Sequence, residues 1–151
     1  MNRRVVVTGL GAVTPIGNTV KEFFENIKAG TCGIDYISSF DTEAYTVKLA
    51  AEVKDFDPKQ YMDLKEARRV ERFSRFAIAA SAQAIEDSRI DPDGIDRDRF
   101  GVIVGSGIGG LESIEKENRT LTDKGPKRVN PLFIPMIITN MAAGNIAIKF
   151  G

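Results

Sequence analysis

Two short β-branched runs, each closed by glycine, constrain this chain more than any other feature. Val5-Val6-Val7-Thr8 stops at Gly9, and Phe100-Gly101-Val102-Ile103-Val104 stops at Gly105. Continuous apolar runs of this length, bounded by turn residues, are the pattern of strands buried on both faces. Helical patterns fill the rest. Thr19 and Glu22 make a capping box for a helix that carries Val20, Phe23, Phe24 and Ile27 on one face, and Gly30 ends it. The longest pattern runs over residues 64–88, where Val70, Phe73, Ala77, Ala80 and Ala84 form one apolar stripe. Its second half is small all round, as suits a helix packed closely on several sides. Further helices are expected over 111–121 and, opened by Pro135, over 136–149. Residues 31–60 read as irregular with a short strand at 47–53, and Asp91-Pro92-Asp93-Gly94 as a turn. Alternating strand and helix makes the class α/β. Two clear strands and one doubtful one are a thin sheet for four helices. The chain also closes on Phe150-Gly151, where a next element is due, so it is expected to be cut from a longer fold.

Composition narrows the chemistry. At 151 residues, with 42% hydrophobic and 28% charged residues, the chain is that of one ordinary globular domain. Lys+Arg and Asp+Glu number 21 each, so no global field draws it to nucleic acid or an anionic membrane, and charge recognition must come from a local patch. The absence of histidine excludes Ser-His-Asp and Cys-His catalysis within this chain, and any His-containing zinc site. A single cysteine allows no internal disulfide and no CxxC motif. Val5-Val6-Val7 is too short for a signal-peptide core, and no run approaches the ~18 apolar residues of a membrane span. A soluble cytoplasmic protein, or one from an organelle after processing, is expected.

Several motifs admit two readings. Gly105-x-Gly107-x-x-Gly110 fits a dinucleotide fingerprint between strand and helix. The acidic partner about twenty residues on is missing, since Thr122-Asp123-Lys124-Gly125-Pro126 is loop. The competing reading is that these glycines permit tight turns and close backbone approach. Cys32 follows a helix C-terminus, where the dipole disfavours a thiolate, and without a histidine as base it reads as a bystander. Lys65, Arg68, Arg69 and Arg72 recur at i, i+3, i+4, i+7 and form a basic stripe along one helical face. Cations on a helix's first turns are locally unfavourable by ~0.3–1 kcal/mol each, which points to an external acidic partner. The plainer alternative is a solvated face partly neutralised by Glu66 and Glu71. Lys127-Arg128, with Lys124 nearby, forms a second basic patch. Leu132, Phe133 and Ile134, between Pro131 and Pro135, are either packing residues or a wall of an apolar pocket or subunit contact.

Taken together, the segments resemble one family. Arg4-Val5-Val6-Val7-Thr8-Gly9-Leu10-Gly11 with Thr14-Pro15-Ile16-Gly17 is similar to the opening of the β-ketoacyl-[acyl-carrier-protein] synthases, most of all the type II elongating enzymes of fatty-acid synthesis. The likeness continues through Phe40-Asp41-Thr42, Lys65 to Arg69, Gly105-Ser106-Gly107-Ile108-Gly109-Gly110-Leu111 and Asn130-Pro131-Leu132-Phe133-Ile134-Pro135 to Asn140-Met141. It covers essentially the whole chain in register. The resemblance implies a thiolase-like layered α/β/α/β/α fold, of which residues 1–151 are most of the N-terminal half, in a homodimer without metal or organic cofactor. It also implies a decarboxylating Claisen condensation, in which a cysteine carries the acyl chain and two histidines stabilise the developing charge.

The family's cysteine and both histidines are not among these residues, so no catalytic residue is assigned here. The chain alone is expected to be inactive, unfinished in its core and prone to aggregate. What the resemblance carries over is binding. Lys65, Arg68, Arg69, Lys127 and Arg128 match the docking patch for the acidic acyl carrier protein. Ile108 matches a residue that lines and gates the acyl pocket, and Phe133 and Ile134 match residues that reach that pocket across the dimer. Two alternatives stay open: the ketosynthase module of a polyketide synthase, and a non-catalytic carrier-binding fragment. A dinucleotide-binding domain is a distant third.

Overall fold

The computed structural model describes residues 3–91 and 93–151. In chain order the elements are helix α1 (Val20–Lys28), strands β1 (Ile34–Tyr36) and β2 (Leu49–Ala51), and helices α2 (Leu64–Ala67), α3 (Arg72–Ser88), α4 (Leu111–Lys124), α5 (Phe133–Ile137) and α6 (Met141–Phe150). Single 3-10 turns stand at Pro58–Gln60, Arg97–Arg99 and Pro126–Arg128. Local signals set the first helix. The Thr19 hydroxyl accepts the Glu22 N–H at 3.2 Å, while the Glu22 carboxylate accepts from Asn18 N–H at 2.9 Å. The reciprocal cap therefore closes one residue earlier than the capping box expected. Gly30, at φ 70°, follows the helix end. Pro92, in the expected turn at 91–94, lies outside the described residues. Across that turn Gly94 N–H donates to Asp91 O at 3.0 Å.

Helix α3 is the centre of the packing. Ser74, Ile78 and Ala79 are its buried residues, and it lies against α6, whose Ala142 and Ile146 are buried. Met62, Ala67, Val70, Ile78 and Ile146 form the core, with Tyr61, Ala77, Val102, Val104 and Phe150 packed around it. The small second half of α3 also admits the N-terminal glycine loop. A Cβ at Gly11 would stand 1.8 Å from Ala80 O, and one at Gly9 2.1 Å from Ala84 O. Only glycine lets this backbone lie on the helix. Leu10 N–H then donates to the Asp87 carboxylate at 2.9 Å, and Ala12 N–H to the Gln83 side-chain oxygen at 3.1 Å.

Several expectations are corrected. Residues 5–8 form no strand and pair with none among the described residues, and Val5 is 92% exposed. The run at 100–104 is likewise unpaired, and only one face packs: Val102 and Val104 meet the core while Ile103 is 99% exposed. A buried strand needs ladder partners on its edges and cover on both faces, and neither segment has them here. Among the described residues the sheet consists of β1 and β2 alone, antiparallel, with Ile34 opposite Ala51 and Tyr36 opposite Leu49. The second strand falls inside the expected 47–53, and the first forms in a stretch expected to be irregular. None of the residues of α1 is buried, so its apolar face stays open. The helix expected over 64–88 is broken between Ala67 and Arg72, because Val70 and Glu71 both turn inward. The helix expected over 136–149 is two, with Ile138 extended between them, and Pro135 lies within α5 rather than opening the last helix.

Candidate functional site

The break between α2 and α3 decides how the basic residues are displayed. Asp63 caps α2, its carboxylate accepting the Glu66 N–H at 2.7 Å. That bond, the Lys65 N–H and the charges of Lys65 and Lys149 hold the Asp63 carboxyl below its usual range. Arg68 ends the helix, and Arg69 N–H closes a final turn on Glu66 O at 2.9 Å. Lys65, Arg68, Arg69 and Arg72 are all exposed, but no single helical face carries them. Lys65 and Arg69 rim a groove of about 580 Å³ whose walls include Leu132, Pro135, Met141 and Ile148. The Lys149 ammonium, 3.2 Å from the Glu66 carboxylate, pins the end of α6 to α2 across this groove. Arg68 and Arg72 face a second groove of about 350 Å³, together with Arg75 and Lys116. The dipole penalty expected of four cations opening one long helix therefore does not arise. Lys127 and Arg128 are exposed on the 3-10 turn after α4 and line neither groove.

The second groove has buried carboxylates in its floor. Glu71, expected as a neutraliser on a solvated face, is only 6% exposed and accepts from the Ser113 hydroxyl on the first turn of α4. Glu117, one turn further along α4, is also buried and accepts the Asn130 N–H at 2.8 Å. Helix α4 thus turns Ser113 and Glu117 inward, and Leu111, Ile114 and Leu121 are left exposed. Sequence pattern points the other way, since apolar periodicity assigns the inner face to the apolar residues. No periodic signal marks Glu71 or Ser113 as a pair.

Ile108 stands before α4 on the glycine loop and is 66% exposed. Gly109 (φ 81°) and Gly110 lie on the backbone at the end of α5: added Cβ atoms would come within 2.2 Å of Ile137 O and 2.9 Å of Met136 O. The structure thus places the Ile108 loop against the helix that bears Phe133, half-buried, and Ile134, exposed. Neither groove is lined by Ile108, Phe133 or Ile134. The dinucleotide reading of the glycines loses its donors: Gly110 N–H bonds Ile137 O at 3.2 Å and Leu111 N–H bonds Gly109 O at 3.1 Å. Close backbone approach holds for Gly109 and Gly110, whereas Gly105 and Gly107 have nothing within 4 Å of an added Cβ. Cys32 is exposed past the end of α1, its sulfur 3.9 Å from Ile34 O. Among the described residues no cluster of His, Cys, Asp or Glu is placed to hold a metal ion, and no helix is long and apolar enough to cross a membrane.

Residues 2–151 match the family described as β-ketoacyl synthase, N-terminal domain. The 3-oxoacyl-[acyl-carrier-protein] synthase 2 of Staphylococcus aureus is 49% identical over 150 residues, covering 99% of this chain and 36% of its own length. The protein of that name from Synechocystis sp. is 48% identical over 149 residues, with the same two coverages of 99% and 36%. A β-ketoacyl synthase from Burkholderia phymatum superposes with a TM-score of 0.79 at 27% identity, over 99% of this chain and 37% of that one. A chain from a structure described as a type II PKS acyl-carrier protein in complex with its ketosynthase bound to the hexaketide gives 0.81 at 29% identity, over 99% and 39%. The chain spans about a third of the length of the curated relatives it matches. Its fold is the thiolase-like one of the ketosynthase N-terminal domain. Matched from residue 2 to residue 151, the chain belongs to the β-ketoacyl synthase family.

Proposed function

We propose that this chain is the N-terminal part of an elongating β-ketoacyl-acyl-carrier-protein synthase of type II fatty-acid synthesis. The reaction joins an acyl group, held as a thioester on an enzyme cysteine, to malonyl-carrier protein. Loss of CO2 leaves a carbanion that attacks the thioester carbonyl, and the cysteine leaves as its thiolate, giving β-ketoacyl-carrier protein and free enzyme. The 151 residues hold no histidine, and their one cysteine sits at the unfavourable end of α1. Their part is therefore recognition. Lys65, Arg68 and Arg69, with Lys127 and Arg128, dock the acidic carrier; Ile108 gates the acyl pocket, and Phe133 and Ile134 line it across a homodimer.

The observation that carries this reading is the groove in which exposed Lys65 and Arg69 stand over the apolar walls of Leu132, Pro135 and Met141. A cationic rim over an apolar wall is complementary to an amphipathic acidic surface. Identity near 49% to proteins named 3-oxoacyl-[acyl-carrier-protein] synthase 2 supports the fatty-acid reading. A double Lys65→Glu, Arg69→Glu variant of the intact synthase tests it. Carrier affinity should fall about tenfold at low salt, as for the loss of interface charges. Unchanged affinity would remove the docking assignment.

A further inference from the structure

The docking segment and the Ile108 loop meet at one buried contact. Glu71 lies two residues after Arg69 with an extended backbone (φ −73°, ψ 161°), and its side chain makes no cap bond to α3. It reaches α4 instead. A Cβ added to Gly110 would stand 3.1 Å from Glu71 Cγ, so the side chain passes directly under that glycine to Ser113. Gly110 is bound on its other side to Ile137 O, and Ile108 stands two residues before it. A buried carboxylate is expensive unless it is hydrogen-bonded. Here the Ser113 hydroxyl donates to it, and α4 has no side-chain cap of its own. Glu71 thus ties the start of α3 to the first turn of α4 and holds the glycine loop between itself and the end of α5. Among the described residues no basic group lies within ion-pair distance of it, although Arg68, Arg72 and Arg75 share its groove.

We propose that Glu71 is a positioning residue: through Ser113 and Gly110 it fixes where Ile108 stands, and so sets which acyl lengths the pocket accepts. This rests on the reading of Ile108 as the pocket gate. Burial and the single hydrogen-bond partner give the carboxylate a role that the solvated basic residues beside it do not share.

The experiment compares wild type, Glu71→Ala, Glu71→Gln and Ser113→Ala in the intact synthase, measuring kcat/KM for a short and a long acyl-carrier substrate. The ratio of the two should change fivefold or more in Glu71→Ala and Ser113→Ala. Glu71→Gln, whose amide oxygen still accepts from Ser113, should stay within twofold of wild type. In an Ile108→Ala background the Glu71→Ala effect on the ratio should vanish. A purely structural role would lower both substrates alike, and an unchanged ratio in a folded Ser113→Ala enzyme overturns the proposal. Should Glu71→Ala or Ser113→Ala fail to fold, the Glu71→Gln, Ser113→Ala double variant carries the test, since it breaks the contact without leaving a buried charge unpaired. If the wild type condenses neither substrate, the functional reading fails separately. Amide hydrogen exchange then decides positioning: Gly109 and Gly110 should exchange at least tenfold faster in Ser113→Ala, and equal rates refute it.

Discussion

Glu52 accepts from the Ser38 N–H and hydroxyl, each at 2.8 Å, and from the Ser39 N–H at 3.3 Å, so one carboxylate ties the chain after β1 to the end of β2. The Ser39 hydroxyl, then the Ser38 donors, lower its pKa from 4.5 to about 2. A depressed carboxylate stabilises the fold in its ionised form. That contribution is whole above the unfolded value near 4.5 and is lost as pH falls through about 2. The carboxyl carbon of Glu52 should therefore titrate near 2 by NMR, with the Ser38 and Ser39 amides losing protection over the same interval. Glu52→Gln should abolish that pH dependence, and a midpoint at the ordinary glutamate value would refute the cause. The neighbouring Lys54–Asp35 pair at 2.9 Å is more than half exposed, so solvent screens it and little of the hairpin depends on it. At Ile108 the expected effect is on selection. Ile108→Phe adds bulk to a gate, and discrimination by a methylene or two in an apolar pocket is worth roughly 10–200-fold. In the intact synthase it should cut kcat/KM for the longest accepted acyl chains at least tenfold while sparing the shortest. An unaltered length profile would count against the gate.

Elements written by neighbouring residues were legible in the sequence, and elements written by distant ones were not. Thr19 with Glu22, and Gly30 past the end, define α1 within twelve residues, and the small stripe of α3 foretold the close packing found there. The helix break at 68–71 had no local signal, because Leu64 to Ser88 holds no proline or glycine. It exists because Val70 enters the core and Glu71 finds Ser113, 42 residues away. Of the candidate site, Lys65, Arg68 and Arg69 were visible as a cluster of like charge, whereas the Glu71–Ser113 contact between that segment and the start of α4 needed the tertiary structure. The glycines separate at the same scale. Gly11→Ala drives a Cβ to 1.8 Å from a backbone oxygen of α3, which cannot move as a side-chain tip does. It should destabilise the intact protein by about 2 kcal/mol or more, as overpacking does. Gly101→Ala meets nothing within 4 Å and adopts an ordinary φ, so it should stay within about 0.5 kcal/mol. Denaturant midpoints of the two variants decide it, and equal midpoints would mean the loop does not rest on α3.

The whole molecule exposes 11400 Å² of surface. A compact monomer of 16.5 kDa should expose about 7,600 Å² by the size scaling of folded proteins. The excess is several times the ~800 Å² that one partner buries in a standard interface. It includes Val5, Val7 and Ile103, from the two runs expected to be buried strands, and Ile148 on α6, which is 81% exposed. The unpaired backbone of residues 5–8 and 100–104 adds open edges to this surface. Isolated as 151 residues, the chain should therefore bind a hydrophobic dye strongly and self-associate at micromolar concentration, as read by light scattering. A dye-silent monomer would show that these faces do not drive association. The same isolated chain separates reactivity from catalysis. Exposed Cys32 should be modified readily by a small thiol reagent, yet it should take no radiolabelled acyl group from acyl-carrier protein, because no histidine is there to serve as base. Stoichiometric acyl transfer to Cys32 would overturn the division of labour proposed for this chain, and loss of that label in Cys32→Ser would identify the residue responsible.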